Sequence, residues 1–232
     1  MTAHLSPHLP SDLPRIFLLG DSIFDNGPYV PPGTEVRAQL QSLVQGGYHV
    51  SLLARDGAVL ADVAGQVGGL PALRQADDWL VVSCGGNDAL GLVGAMHARV
   101  GSVIEAAGLL AQWQAGFRRD YRRMLDILCS QSAPLAVATI YDGVPGLDPG
   151  LRTALAAFND VILREAAALG LPVLDLRLVC SEPGDYAAVS PIEPSVQGGC
   201  KIARAIAQLV REQGREQNRG ARRTVVYTGS TS

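Results

Sequence analysis

The stretch RIFLLGDSI, residues 15–23, sends four consecutive apolar residues, Ile16 to Leu19, straight into Gly20-Asp21-Ser22. A run that is apolar at odd and even positions alike suits a strand covered on both faces, as in a parallel sheet between helical layers. The pattern recurs at YHVSLLA (48–54), WLVVSC (79–84), LAVATI (135–140) and LPVLDL (171–176). Segments of helical period separate these runs. Val36, Leu40, Leu43 and Val44 share one face, and Trp113, Phe117, Tyr121, Met124 and Leu128 share another. Asp148 as N-cap with Pro149 behind it opens a third helix, which carries Leu151, Leu155, Phe158 and Ile162 and stops at Gly170. Ile202, Ile206, Leu209 and Val210 mark the last. This alternation predicts an α/β fold, a three-layer α/β/α sandwich with right-handed crossovers.

The whole chain has 232 residues, 47% of them hydrophobic and 18% charged, enough for one domain with a sizeable core. We divide it into an N-terminal tail (1–14), a domain (15–211) and a polar, arginine-rich C-terminal tail (212–232), expected to be mobile. Within that tail TVVYT (224–228) is β-prone and offers an edge strand to a partner chain, the one route to a homodimer that the sequence suggests. The net charge of −3 gives no general attraction to nucleic acid or to an anionic membrane. Residues 90–110 are apolar but broken by glycines, His97, Arg99 and Glu105, so a membrane span is not expected. The N-terminus shows no basic start followed by an apolar run, so no signal peptide is expected. Cys84, Cys129, Cys180 and Cys200 form no CxxC pair. They read as small apolar residues of a reducing, cytoplasmic compartment, with no metal or cofactor.

In such a sandwich, functional groups gather at the carboxyl ends of the strands, here the loops after residues 20, 54, 84 and 176. Ser22 stands at the first of these. A serine there is often only a helix cap, but at a strand-to-helix turn its hydroxyl and backbone N–H also face a ligand. Gly57, after the second strand, either makes a tight turn or leaves its N–H bare for an incoming oxygen. Asn87, in the Gly85-Gly86-Asn87-Asp88 turn after the third, is either structural or an amide donor. Taken together, Ser22 N–H, Gly57 N–H and the Asn87 side chain would form a three-donor oxyanion hole.

LLGDSIFDN, ARDGAV and SCGGNDAL, in this order on these strand ends, resemble the SGNH (GDSL) hydrolase family over roughly residues 15–210. The resemblance implies a flavodoxin-like sandwich with a five-stranded parallel sheet. It implies Ser22 as nucleophile, Gly57 and Asn87 as oxyanion donors, no cofactor, and a small-molecule ester as substrate.

The fourth block of that family, DxxH, is where the chain departs. The aligned residues are Ser190-Pro191-Ile192-Glu193, so serine stands for aspartate and glutamate for histidine. His97 is the one histidine placed to substitute; otherwise it is an ordinary lid or surface residue. Glu193 as base starts about two pKa units below histidine, roughly 3 kcal/mol of proton-transfer driving force, part of which burial recovers. Glutamate becomes neutral on taking a proton, so it needs no partner aspartate, and Ser190 as a neutral partner is consistent with that. Arg55 either reaches Glu193 and lowers its pKa, or binds an anionic substrate group, or is solvated near Asp56. Asp56 is a turn residue or, with Asp21, a polar group of the pocket. Residues 90–110 either pack on the core or line an acyl or aromatic pocket beside Ser22. The expected activity is serine-dependent cleavage of carboxylic esters. The alternatives are a ligand-binding protein of the same fold that has lost turnover, and an acyltransferase.

Overall fold

Ile16 and Leu18 point to one side of the first strand and Phe17 and Leu19 to the other, and all four are buried. The computed structural model of the protein describes residues 13–74, 77–216 and 224–229. Its strands are β1 (Arg15–Gly20), β2 (His49–Leu52), β3 (Trp79–Ser83), β4 (Leu135–Ala138) and β5 (Val173–Leu174), joined by a short hairpin of β6 (Tyr186–Ala187) and β7 (Ser190–Pro194) and by β8 (Val226–Tyr227). The helices are α1 (Val36–Val44), α2 (Val63–Val67), α3 (Gly86–Leu90), α4 (Val93–Met96), α5 (Val103–Cys129), α6 (Pro149–Leu169), α7 (Leu176–Val179) and α8 (Val196–Glu216).

The main sheet is parallel throughout, in the order β2-β1-β3-β4-β5-β8. Helices α1, α7 and α8 cover one face of it and α2, α5 and α6 the other, each layer sealing its own apolar core. The sandwich is the one expected, but it has six strands where five were expected. Val225 and Tyr227 accept hydrogen bonds from Val173 N–H and Asp175 N–H, both at 2.8 Å, and so add β8 to the open edge of β5. Tyr227 is buried there, so the TVVYT segment forms the edge strand of this chain's own sheet. The flanking tail residues 217–223 and 230–232, like His4 and His8, lie outside the described residues, and α8 itself runs on to Glu216.

The third helix follows its local signals closely. Asp148 caps α6 by accepting from Gly150 N–H at 2.7 Å, and Gly170 ends it with φ 64°. The 2-1-3-4-5 order places a topological switch point at β1, where crossovers leave in opposite directions and a crevice opens beyond the carboxyl ends of β1 and β3.

Candidate active site

Beyond that crevice, Gly20 ends β1 with φ 113°, and a Cβ there would lie 1.7 Å from the Ser83 carbonyl oxygen. Only glycine lets the ends of β1 and β3 approach so closely. Gln66 of α2 then grips the same residue from the side: its Oε1 accepts from Gly20 N–H at 2.7 Å and its Nε2 donates to Gly20 O at 2.8 Å. Asp21 N–H donates to Ser83 O at 3.0 Å. The turn carrying Ser22 is therefore fixed to two strands and a helix before any ligand arrives.

The three expected donors lie on the loops that follow β1, β2 and β3; Ser22 and Asn87 line one cavity, and Gly57 is not part of its wall. Among the described residues, neither Ser22 N–H nor Gly57 N–H has a hydrogen-bond partner. Gly57 has φ 77° with open space where a Cβ would stand, so its glycine serves the backbone conformation. Asn87 on α3 donates through Nδ2 to Ala58 O at 2.9 Å, which ties the third-strand loop to the second-strand loop. An amide nitrogen carries two hydrogens, so one remains for the site.

Glu193 arrives on β7. Tyr141 OH donates to the Ile192 carbonyl at 2.5 Å, and Asn26 Nδ2 donates to the Pro194 carbonyl at 3.2 Å, so the residues on both sides of Glu193 are held by buried side chains. Asn26 also accepts from Val36 N–H at 3.0 Å, which links this hairpin to α1. The Glu193 side chain is 4% exposed and lies beside Ser22 on the wall of one cavity, and among the described residues its Oε2 is buried without a partner. Burial pushes its carboxyl up to about 7; the neighbouring Ser22 hydroxyl opposes this and the nearby Asp56 charge adds to it.

Asp21 lies beside the pair. Burial pushes its carboxyl up to about 8, against the hydrogen bond it accepts from Ile23 N–H at 3.2 Å, with the charge of Glu193 adding to the rise. At neutral pH Asp21 is thus mainly a neutral acid. Burial also pushes the Cys84 thiol far up, so it offers no thiolate. Among the described residues no group of three or more His, Cys, Asp and Glu side chains is placed to hold a metal ion.

Ser22, Asp21, Asn87 and Glu193 all open onto one cavity of about 250 Å³. Its remaining wall is almost wholly apolar, with Leu90, Val93 and Met96 from α3, α4 and the turn between, and Leu151, Leu155 and Phe158 from α6. Part of the 90–110 segment therefore lines a pocket, while Val103 and Ile104 at the start of α5 are exposed.

Other expected site residues are not brought in. His97 is exposed at the end of α4 and lies outside the cavity wall, because α4 stops one residue earlier. Ser190 begins β7 three residues before Glu193 and is not part of the cavity wall. Arg55 is exposed, and among the described residues no ion pair joins it to Glu193. Asp56 sits on the rim, accepting from Tyr29 OH at 2.7 Å and donating its N–H to Asp25 at 2.9 Å. Sequence reasoning missed Gln66, Tyr141 and Tyr29, single polar residues without a motif around them. Asn26 lay within the stretch LLGDSIFDN, with no role given to it.

No curated protein matches the chain closely enough in sequence to count as a relative. Among solved structures, LAE5, described as an alpha/beta hydrolase from the metagenome of Lake Arreo, superposes with a TM-score of 0.64 at 17% identity, covering 85% of this chain and 95% of that one. A variant of Axe2, an acetyl xylan esterase from Geobacillus stearothermophilus, gives 0.62 at 17%, covering 85% and 94%. An extracellular lipase from Streptomyces rimosus gives 0.58 at 19%, covering 87% and 99%. At these identities the likeness is one of fold. The model of the GDSL-like lipase/acylhydrolase family matches residues 18–198, most of the chain. On that match the chain belongs to the GDSL-like lipase/acylhydrolase family and is an ester-hydrolysing enzyme.

Proposed function

We propose that the protein hydrolyses carboxylic esters of small molecules through a Ser22–Glu193 pair, without an imidazole. The observation that carries this reading is the buried Glu193 carboxyl beside Ser22 on the wall of one cavity, with its pKa raised to about 7. That value is close to the ordinary pKa of histidine, about 6.5, so burial restores most of the basicity that replacing histidine removes. Ionised Glu193 takes the Ser22 proton as Oγ bonds to the ester carbonyl carbon. The carbonyl oxygen becomes an oxyanion facing Ser22 N–H, Gly57 N–H and the spare Asn87 amide hydrogen. Collapse of this tetrahedral intermediate breaks the bond to the alcohol oxygen, which leaves with the proton from Glu193. Water then attacks the acyl-serine as Glu193 takes its proton, and collapse of the second tetrahedral intermediate breaks the bond from Ser22 Oγ to the acyl carbon, with Glu193 returning the proton to Oγ as the acid leaves. Neutral Asp21 keeps a second negative charge away from the oxyanion at neutral pH. The buried thiols of Cys84 and Cys180 fit a cytoplasmic setting.

The test is covalent. A fluorophosphonate should label the wild type at Ser22 and leave Ser22→Ala unlabelled, with cleavage of p-nitrophenyl esters lost in step. Asn87→Ala should still be labelled, more slowly, with kcat down by about 10²–10³. Binding of ester analogues without labelling or turnover would instead identify a ligand-binding protein, and products that require an added alcohol would identify an acyltransferase.

A further inference from the structure

We infer that the cavity beside Ser22 is an acyl pocket that selects esters of uncharged aliphatic acids of about eight carbons, with the alcohol half leaving over a polar rim. The inference deepens the reading of Ser22 as nucleophile and rests on it.

Size is the first argument. At roughly 30 Å³ for a water-sized group, 250 Å³ holds about eight such groups, so an acetyl methyl leaves most of the space empty. Chemistry is the second. The polar wall residues cluster together: Asp21 and Ser22 are adjacent in the chain, Glu193 lies close enough to Asp21 for its charge to raise the Asp21 pKa, and a Cβ at Gly86 would lie 3.7 Å from Asp21 Oδ2. Leu90, Val93, Met96, Leu151 and Leu155 offer a sugar hydroxyl no hydrogen bond. Among the described residues no Lys, Arg or His lines the cavity, which does hold two carboxyls, so a charged acyl tail meets no counter-ion.

Polarity also separates the two halves of the ester. Tyr29, Asp25 and Asp56 are linked by hydrogen bonds on the Glu193 side, outside the apolar wall. The alcohol must take its proton from Glu193 as it leaves, and this rim is where a polar alcohol is accommodated. The acyl chain is left with the apolar cavity. The same lack of cations makes the ionised product acid a poor ligand, which favours its release.

A chain-length series tests this. With p-nitrophenol as the fixed alcohol, kcat/KM should rise about fourfold per methylene from acetyl upward, peak near octanoyl and fall beyond it. With acetate as the fixed acid, lengthening the alcohol should change kcat/KM by less than about threefold over the same range. Leu151→Trp and, separately, Val93→Trp should lower the octanoyl-to-acetyl ratio at least about tenfold, with folding checked by thermal unfolding. Ser22→Ala should bind octanamide and 1-octanol by calorimetry, with a negative heat-capacity change, and octanoate at least about tenfold more weakly at pH 8. A flat acyl series with Ser22 labelled, or a gradient that follows the alcohol, overturns the acyl pocket and leaves the nucleophile standing. Octanamide binding by Ser22→Ala, together with an unlabelled and inactive wild type, supports the pocket and overturns the hydrolytic reading.

Discussion

Ser22 and the Glu193 carboxyl stand together on the wall of one cavity, and among the described residues the Oε2 of that carboxyl is buried without a partner. A carboxylate in that position is costly to ionise and so accepts a proton readily. One feature of packing thus accounts both for the raised pKa and for the fitness of the group as a base.

Glu193→Gln keeps the shape of the side chain and removes the proton acceptor. We expect kcat/KM to fall by about 10²–10⁴. The wild-type pH–rate profile should rise through about 7, and that inflection should disappear in the variant. Glu193→His should move the inflection toward the ordinary histidine pKa while staying less active than wild type, because position 190 holds a serine and supplies no carboxylate to orient the ring. A glutamine variant with the wild-type rate and profile would remove Glu193 from the mechanism.

The same carboxyl links stability to pH, with a definite sign. Its folded-state pKa, about 7, stands above the ordinary 4.5, so between these values the native state holds a proton that the unfolded state has lost. Stability from this group is complete below about 4.5 and is lost as pH rises through 7, by at most about 1.4 kcal/mol per pH unit. Asp21, raised from 3.8 to about 8, acts in the same direction. Glu193→Gln should therefore match the wild type in Tm near pH 4.5 and exceed it at pH 8, by roughly 2–4 °C for each kcal/mol relieved. Parallel Tm curves over that range would show that Glu193 ionises freely in the folded protein.

Tyr141→Phe tests the clamp on the hairpin. It leaves the half-buried Ile192 carbonyl without its 2.5 Å donor, at a cost of about 1–3 kcal/mol of stability. Since Glu193 is the next residue, we expect kcat to drop about tenfold with KM nearly unchanged and the pH inflection kept, the signature of a misplaced base. A fall in stability with no change in kcat would show that the hairpin holds its place without Tyr141.

Much of this was legible in the chain because it is set by neighbours in sequence. Four apolar residues running into Gly20 specify a doubly covered strand, and Asp148-Pro149 with Gly170 delimits α6 almost to the residue. β8 was not legible as part of the sheet, since two residues of strand propensity do not say which edge they will join. Leu151 and Leu155 read correctly as an apolar helical face, yet periodicity cannot tell a face packed on the core from one that walls a cavity.

By itself, then, the sequence determined the layers, the three strand-end loops that carry Ser22, Gly57 and Asn87, and the presence of Glu193 in the fourth block. Each follows from local patterning or from residue identity at a strand end. Only the tertiary structure decided what that glutamate is. Asn26 and Tyr141 set its backbone, the apolar walls strip it of water, Arg55 stays away from it, and Ser22 meets it. Basicity depends on desolvation and on nearby charges, and those are properties of what surrounds a group in space, which its position in the chain does not fix.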